Sequence, residues 1–297
     1  MTTTTIKDFR SGTNEQTSSP ASGQKMNCSK ITAATKLCAI IGNPIGHTIS
    51  PLVHNAAFEH LGLDYVFLAF QVEHLQDAVK GIRALDFKGV SVTIPHKVAV
   101  MDYLDEIEPV AGRIGAVNTV VNREGRLVGY NTDWSGAIKA LEDEMILQGK
   151  TAVVLGAGGA ARAISFGLKE KGAQPVILNR TVSRAEALAS ELKCRFGGME
   201  LMEKLSFDLV INATSVGMYP RVDGMPVKKE LLKDVLVFDT VYNPMKTRLI
   251  REAEENGCPT ITGLKMFINQ AALQFELWTG EKPPLDLMQT VAAEVLS

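Results

Sequence analysis

The sequence predicts an α/β fold with two domains. Short apolar runs alternate with amphipathic stretches from Leu37 onward, and this alternation of strands and helices restarts at Thr151. Alternation at this spacing favours mostly parallel sheets that are covered by helices. The chain has 297 residues, which is enough for two domains of ordinary size.

The composition is that of an ordinary globular protein. Hydrophobic residues make up 45% and charged residues 22%, and the net charge of −2 predicts neither a nucleic acid nor an anionic membrane as a partner. The longest apolar runs, such as 151–155 and 235–239, are far shorter than the roughly 20 residues of a membrane span. The four cysteines form no C-x-x-C pair, so we expect free thiols in a reducing, cytoplasmic location.

Residues 1–35 differ from the rest of the chain. They are rich in serine and threonine and poor in large apolar side chains, which predicts a flexible tail. A transit peptide is a second interpretation, but Arg10 is its only arginine and Asp8 and Glu15 are acidic. A linker or an expression artefact is a third.

The first part of the chain carries clear helix boundaries. Ser50 is a candidate N-cap, Pro51 suits the first turn of a helix, and Gly62 follows its predicted end. The predicted elements are strands at 37–42, 65–72 and 90–94 and helices at 51–61, 74–84 and 98–104.

The remaining elements begin with a predicted hairpin. Strands at 116–122 and 126–131 flank a turn that contains Gly125. Further predicted elements are a helix at 135–147, the strand at 151–155, and two final helices at 264–279 and 285–296.

A glycine-rich loop follows the strand at 151–155. Gly156 permits a tight turn, Gly158 lets the backbone approach a pyrophosphate, and Ala161 allows close packing of helix and strand. The backbone N–H groups at the helix start then face an anion. The loop therefore predicts a Rossmann-type dinucleotide site, with a purely structural turn as the alternative; its residues are Gly156, Ala157, Gly158, Gly159 and Ala160.

The next strand ends in Asn179, Arg180 and Thr181, and Arg184 follows at helical spacing. A site selective for NAD usually has Asp or Glu here to bind a ribose hydroxyl. Two guanidinium groups instead favour a 2′-phosphate, so we expect NADP to be preferred over NAD. The alternative is that both arginines are solvated surface charges.

Four clusters of polar residues stand near predicted strand ends. They are GNPIGHTISP at 42–51, SVTIPHK at 91–97, GAVNT at 115–119 and GYNTD at 129–133. A lysine just beyond a buried strand lies at the carboxyl end of a sheet, where α/β proteins bind ligands. Each cluster alone is compatible with ordinary loop structure.

Together with INATSVGM, DTVYNP and GLKMFINQAA, these motifs resemble the shikimate dehydrogenase family from about residue 37 to the end. The resemblance implies two α/β domains that are separated by a cleft. One is a substrate-binding domain of residues 36–133 and 266–297, and the other is a Rossmann-type NADP-binding domain of residues 134–265. The implied reaction is the reversible reduction of 3-dehydroshikimate to shikimate, a step of chorismate and aromatic amino acid biosynthesis, by a monomer or homodimer.

The resemblance also implies roles for single residues. Lys97 matches the catalytic lysine and Asp133 its carboxylate partner. The residues expected to bind the substrate are Thr48, Ser50, Thr93, Asn118, Tyr242 and Gln270. NADP is expected to bind the glycine loop, residues 179–184 and Gly263.

Three other functions stay open. The family usually has serine where this chain has Thr48, which keeps a quinate or dual quinate/shikimate dehydrogenase in consideration. A non-catalytic ligand sensor would need neither Lys97 nor Asp133, and the hydroxyl-rich loop disfavours a tetrahydrofolate or glutamyl-tRNA reductase. The spacing of His47, His54 and His96 matches no zinc template, so no metal is expected.

Overall fold

Two six-stranded sheets organise residues 31–297, the part of the chain that the computed structural model describes. Positions 1–30 of the predicted tail lie outside the described residues. The last residues of the tail form a turn, in which the backbone N–H of Thr35 donates to the carbonyl of Thr32 at 3.2 Å, just before the first strand. Within 31–297 no helix is long and apolar enough to cross a membrane.

The first sheet has the strand order β2-β1-β3-β5-β6-β4. The β1–β2, β1–β3 and β4–β6 pairs are parallel, and the β3–β5 and β5–β6 pairs are antiparallel, so this sheet is mixed. Its strands are Lys36–Gly42 (β1), Tyr65–Gln71 (β2), Gly89–Val92 (β3), Glu106–Ile107 (β4), Thr119–Arg123 (β5) and Arg126–Tyr130 (β6).

The predicted hairpin joins β5 to β6 through Glu124 and Gly125. Both residues have positive φ, 54° and 87°, which is the conformation of a two-residue type I′ turn. The twist of such a turn matches that of the two strands, and Arg123 pairs with Arg126 directly beside it.

The second sheet is entirely parallel and has the order β12-β11-β10-β7-β8-β9. Read from β9, this is the 3-2-1-4-5-6 order of a Rossmann fold, and the order reverses between β7 and β10. Its strands are Thr151–Leu155 (β7), Gln174–Leu178 (β8), Arg195–Gly197 (β9), Leu209–Asn212 (β10), Leu236–Asp239 (β11) and Thr260–Ile261 (β12). The α/β prediction with a Rossmann-type part is confirmed.

Helices cover both sheets, and two of them carry the chain between the sheets. Asp133–Glu142 (α4) leads from β6 toward β7, and Gly263–Thr279 (α8) returns from β12 to pack against α4. The other helices are Ser50–His60 (α1), Leu75–Ala84 (α2), Pro109–Ile114 (α3), Gly159–Glu170 (α5), Val182–Leu192 (α6), Arg248–Glu255 (α7) and Leu285–Leu296 (α9).

Three local predictions differ from the structure. The helix predicted at 98–104 is a five-residue 3₁₀ helix, Ala99–Tyr103, and the helix predicted at 135–147 runs from Asp133 to Glu142. Ser50 does not cap α1. Ile49 occupies the cap position in a helical conformation, so the Ser50 side chain already lies inside the first turn and hydrogen-bonds with Thr48 instead.

An unpaired histidine lies in the core of the first sheet's helix layer. The ring of His54 is completely buried, stacks on Phe67 at 4.5 Å, and has no hydrogen-bond partner for either nitrogen. Burial lowers the pKa of His54 to about 3, since a charged imidazole would lose its hydration without compensation. His54 therefore remains neutral in the folded protein.

We predict that His54 makes the folded state sensitive to acid. The unfolded chain takes up a proton near pH 6.5 and the folded chain does so only near pH 3. The free energy of unfolding contributed by this group is therefore complete above pH 6.5 and falls as the pH drops, by about 2–3 kcal/mol between pH 7 and pH 4.5. Urea denaturation of the wild type and His54→Phe at both pH values measures the difference.

Exposed His74 provides the matched control. His74→Phe should retain the full pH dependence of the wild type, whereas His54→Phe should lose the 2–3 kcal/mol component. Parallel pH profiles for the wild type and His54→Phe would show that this ring is protonated or solvated in the folded state.

Candidate active site

Lys97 and Asp133 form an ion pair between two loops at the carboxyl ends of first-sheet strands. Lys97 follows β3 and Asp133 follows β6, and their Nζ and Oδ2 atoms are 2.6 Å apart. The side chains are only 15% and 6% exposed. An ammonium group held by a carboxylate at the end of a sheet can give a proton to a bound oxygen or take one from it.

Asn131 leaves the carboxylate of Asp133 free for this contact. Its side-chain oxygen accepts hydrogen bonds from the backbone N–H groups of Asp133 at 3.0 Å and Trp134 at 3.4 Å. The Asn131 amide also donates to the carbonyl of Ala116 at 2.8 Å. A helix start needs such acceptors. Because Asn131 supplies them, the Asp133 side chain is not needed as a cap.

The lysine loop touches the glycine loop of the second sheet. A Cβ atom on Gly159 would lie 3.1 Å from both Cβ and Cδ of Lys97, which is closer than ordinary contact. The backbone of Lys97 is held from the other side, since its carbonyl accepts from the N–H of Val117 at 2.8 Å. The end of β3 and the start of α5 therefore meet at this lysine.

Thr48, Ser50 and Tyr242 form a second group of hydroxyls. Thr48 Oγ1 donates to Ser50 Oγ at 3.1 Å, and the phenol of Tyr242 lies near the Thr48 hydroxyl. Burial raises the pKa of Tyr242, and the nearby Thr48 hydroxyl opposes this. Thr93 packs against Gly42 at the start of the same loop. The adjacent carboxyl ends of β1 and β3 bring the segments of Thr48 and Thr93 together.

Asn118 and Gln270 connect this region to α8. Asn118 Nδ2 lies 3.5 Å from Gln270 Oε1 and donates to Thr132 Oγ1 at 3.0 Å. The Gln270 amide donates to the carbonyl of Phe267, whose ring lies 4.8 Å from that of Tyr242. Helix α8 thus places Gln270 near both Asn118 and the Tyr242 loop.

The glycine loop lies at the point where the strand order of the second sheet reverses. Gly156 has φ of +111°, and a Cβ there would approach the carbonyl oxygen of Ala213 to 3.0 Å, so only glycine fits without strain. A Cβ on Gly158 would meet nothing within 4 Å, so this part of the loop faces open space. The neighbouring Ala157 and Ala160 are partly exposed.

The two arginines that follow β8 are exposed. Within residues 31–297 neither Arg180 nor Arg184 forms an ion pair, so their guanidinium groups are available to a ligand. The Asn179 amide donates to the carbonyl of Thr181 at 2.9 Å and shapes this turn. The backbone N–H of Gly156 donates to the carbonyl at the end of β8, which joins the turn to the glycine loop.

Two buried polar residues at the ends of β10 and β11 were not predicted as functional. Asn212 Nδ2 donates to Asp239 Oδ1 at 2.9 Å, and Asp239 also accepts from Val241 N–H and from the Thr247 hydroxyl. Burial raises the pKa of Asp239 to about 6, against these three bonds. Both residues occur in motifs that were noted in the sequence, INATS and DTVYN. Nothing in the neighbouring sequence indicates that their side chains are buried.

This network orders the loops on either side of the strand-order reversal. The Asn212 side chain also accepts from the hydroxyl of Thr214 at 2.6 Å and donates to the carbonyl of Val216 at 3.0 Å. Gly263 packs on the backbone of Val241, where a Cβ would approach within 2.5 Å. The loop that carries Tyr242 is therefore fixed from both ends.

The histidines near these loops make contacts with the protein that do not involve a metal. His96 Nε2 lies 2.9 Å from the carbonyl of Val72, and His47 contacts the ring edge of Tyr219 at 4.8 Å. No group of three or more His, Cys, Asp or Glu residues between positions 31 and 297 is arranged to hold a metal ion.

Comparison with known families covers most of the chain. The profile of the shikimate dehydrogenase substrate binding domain matches residues 40–120, and that of shikimate / quinate 5-dehydrogenase matches residues 139–239. The profile of the shikimate 5′-dehydrogenase C-terminal domain matches residues 263–292.

Curated relatives and solved structures agree with these matches. The NADP(+)-dependent shikimate dehydrogenase of Methanothermobacter thermautotrophicus is 45% identical, over 90% of this chain and 99% of its own length. A shikimate dehydrogenase structure with NADP+ has a TM-score of 0.86 at 43% identity, covering 90% of this chain and 98% of that one. The Thermus thermophilus enzyme with NADP(H) and shikimate has a TM-score of 0.81 at 41% identity, covering 88% and 100%.

A more distant structure belongs to the alternative substrate class. Quinate dehydrogenase from Corynebacterium glutamicum, in complex with NAD, has a TM-score of 0.81 at 30% identity and covers 88% of this chain and 99% of that one. The shikimate dehydrogenases above share a higher sequence identity with this chain than this quinate dehydrogenase does. Because its relatives match nearly end to end, and because its sheets and motifs agree with theirs, the chain belongs to the shikimate dehydrogenase family.

Proposed function

We propose that this chain catalyses the reversible, NADPH-dependent reduction of 3-dehydroshikimate to shikimate. The observation that carries the proposal is the Lys97–Asp133 pair, whose lysine packs directly against Gly159 of the proposed dinucleotide loop. A proton-transfer group and a cofactor loop are needed side by side when a hydride and a proton reach the same carbonyl.

The residues around the glycine loop fit NADP. The open space at Gly158 and the N-terminus of α5 suit a pyrophosphate, and the exposed Arg180 and Arg184 suit a 2′-phosphate. Asn179, Thr181 and Gly263 would complete the binding surface. When bound, NADPH supplies the hydride that the reduction needs.

Lys97 would transfer the proton. In the direction of reduction, negative charge develops on the substrate oxygen, and the ammonium group of Lys97 donates a proton to it. In the reverse direction the neutral amine accepts the proton of the hydroxyl. The close contact with Gly159 keeps the side chain beside the cofactor loop in both directions.

Asp133 would hold the ammonium group and orient a substrate hydroxyl. Its Oδ2 atom is 2.6 Å from Lys97 Nζ, and a carboxylate has further lone pairs for a hydroxyl proton. Asn118 and Gln270 would bind other substrate oxygens, while Thr48 and Ser50 would bind the substrate carboxylate. Such fixed contacts align the reacting atoms before transfer.

Thr48 is the residue that favours a second candidate, oxidation of quinate. Its hydroxyl already engages Ser50, and its methyl group takes up space that serine would leave free. Quinate differs from shikimate in ring saturation and in one added hydroxyl, so a change in this pocket can alter the preference between them.

We expect the purified chain to reduce NADP fastest with shikimate. Nicotinamide absorbance should be followed with shikimate or quinate, each paired with NADP or NAD. The exposed arginine pair predicts a higher kcat/KM with NADP than with NAD. Equal efficiency with both cofactors would contradict the cofactor proposal, and oxidation of quinate alone would replace the substrate proposal.

We expect Lys97→Ala to lower kcat about 10²- to 10⁴-fold, which is the usual contribution of one acid–base group. The KM for NADP should stay nearly unchanged because the charged end of the lysine is bonded to Asp133 and is not among the groups proposed to bind the phosphates. Lys88→Ala is the control: Lys88 directly precedes β3 and pairs with Asp86 at the surface, so this variant should retain activity. Near-normal turnover of a folded Lys97→Ala protein would remove this residue from the mechanism.

We expect the double variant Arg180→Ala, Arg184→Ala to raise the KM for NADP about 10²- to 10⁴-fold, since two lost bonds to a charged phosphate together cost about 3–6 kcal/mol. Activity with NAD should change little because NAD has no 2′-phosphate. Arg195→Ala removes another exposed arginine, on β9, and controls for the loss of positive charge. An equal rise in both KM values would indicate a structural role.

Three further sequence predictions belong to this proposal. The domain boundaries at 134 and 266 can be tested by limited proteolysis, and the cytoplasmic location can be tested by cell fractionation. All residues of the proposed site come from one chain, so both a monomer and a homodimer are compatible with activity. Analytical ultracentrifugation distinguishes the two.

A further inference from the structure

Gln274 is a buried polar residue on α8, and the proposed function gives it no binding or catalytic role. Its side chain is 1% exposed. Its Nε2 atom lies 2.9 Å from Thr119 Oγ1, 3.1 Å from Ser91 Oγ and 3.2 Å from the carbonyl oxygen of Asn118. An apolar side chain could fill this volume without hydrogen-bond partners. A buried amide with partners on β3 and β5 therefore indicates a role beyond packing.

The Gln274 amide determines how the Thr119 hydroxyl is oriented. A hydroxyl has one proton and two lone pairs. The Gln274 N–H group donates to a lone pair of Thr119 Oγ1, so the threonine proton points elsewhere. The acceptor at 2.8 Å is Asn118 Oδ1.

This hydroxyl and the backbone N–H of Thr132 together hold the Asn118 amide in one orientation. Asn118 Oδ1 accepts from the Thr119 hydroxyl and from the backbone N–H of Thr132 at 2.7 Å. The oxygen is thus directed to the interior. Asn118 Nδ2 then points toward Thr132 Oγ1 at 3.0 Å and, at a longer 3.5 Å, toward Oε1 of Gln270, the other amide that is proposed to bind the substrate. A substrate oxygen bound beside Gln270 can replace this longer contact.

We propose that Gln274 is a positioning residue that acts through Thr119 and fixes Asn118 as a hydrogen-bond donor to a substrate oxygen. This inference rests on the proposed function, since it needs Asn118 to bind the substrate. It adds a specificity rule: the substrate atom at this position must be an acceptor, such as a hydroxyl or carbonyl oxygen. The order of the relay is Gln274, Thr119, Asn118.

The test replaces Gln274 by methionine, which has similar length and no donor. Gln274→Met should raise the KM for shikimate about tenfold, the effect of one misplaced hydrogen bond. The KM for NADP and the pH profile of kcat should remain those of the wild type, because the relay touches neither the glycine loop nor Lys97. A merely structural defect would not separate the two KM values.

Trp278→Phe is the matched control. The Trp278 indole lies one turn further along α8 and donates to the carbonyl of Val120 at 3.1 Å, so its loss also breaks a buried bond between α8 and β5. This variant should lose stability and keep the KM for shikimate. An equal rise of that KM in both variants would overturn the proposal.

Thr119 keeps the proposal testable if Gln274→Met does not fold. Thr119→Val removes the hydroxyl at constant shape and should raise the KM for shikimate, whereas Thr119→Ser retains the hydroxyl and should restore it. A wild-type KM in folded Thr119→Val would overturn the relay while leaving the proposed function intact. A wild-type chain that is inactive with shikimate would overturn both.

Discussion

The contact between Lys97 and Asp133 is the interaction on which the proposed chemistry depends. Two charges that are only 15% and 6% exposed lose much of their hydration, and such a pair persists only where its geometry is good and its neighbours satisfy the remaining polar groups. The chain meets this requirement with Asn131, which supplies the helix cap, and with Val117, which holds the backbone of Lys97. The carboxylate is then left to the ammonium group and to a ligand.

The same requirement recurs at the strand-order reversal of the second sheet. Asn212 and Asp239 are the last residues of neighbouring strands, and both are completely buried. Their side chains hydrogen-bond to each other, and each also orders the loop that follows its own strand. One of these loops carries Thr214 and the other carries Tyr242. Buried polar pairs at strand ends thus fix the irregular segments at the point where α/β sheets bind ligands.

The sequence predicted what depends on local pattern and missed what depends on distant contacts. Helix 285–296 and the turn at Gly125 were predicted because apolar periodicity and turn residues are readable along the chain. The prediction that Ser50 caps α1 was wrong, because the conformation of Ile49, set by the preceding loop, decides where α1 begins. Gln274 could not be recognised as a relay residue, since its partner Thr119 is 155 positions away.

The glycine loop shows why a short motif underdetermines function. Gly156 is required by its positive φ and by the carbonyl of Ala213, and Gly159 packs closely against the side chain of Lys97. Only Gly158 faces open space, where a nucleotide can approach. Two of these three glycines therefore serve contacts within the protein. The contact at Gly159 ties the proposed cofactor loop to the proposed proton-transfer residue, so the proposal makes binding of the cofactor and placement of Lys97 parts of one packing arrangement.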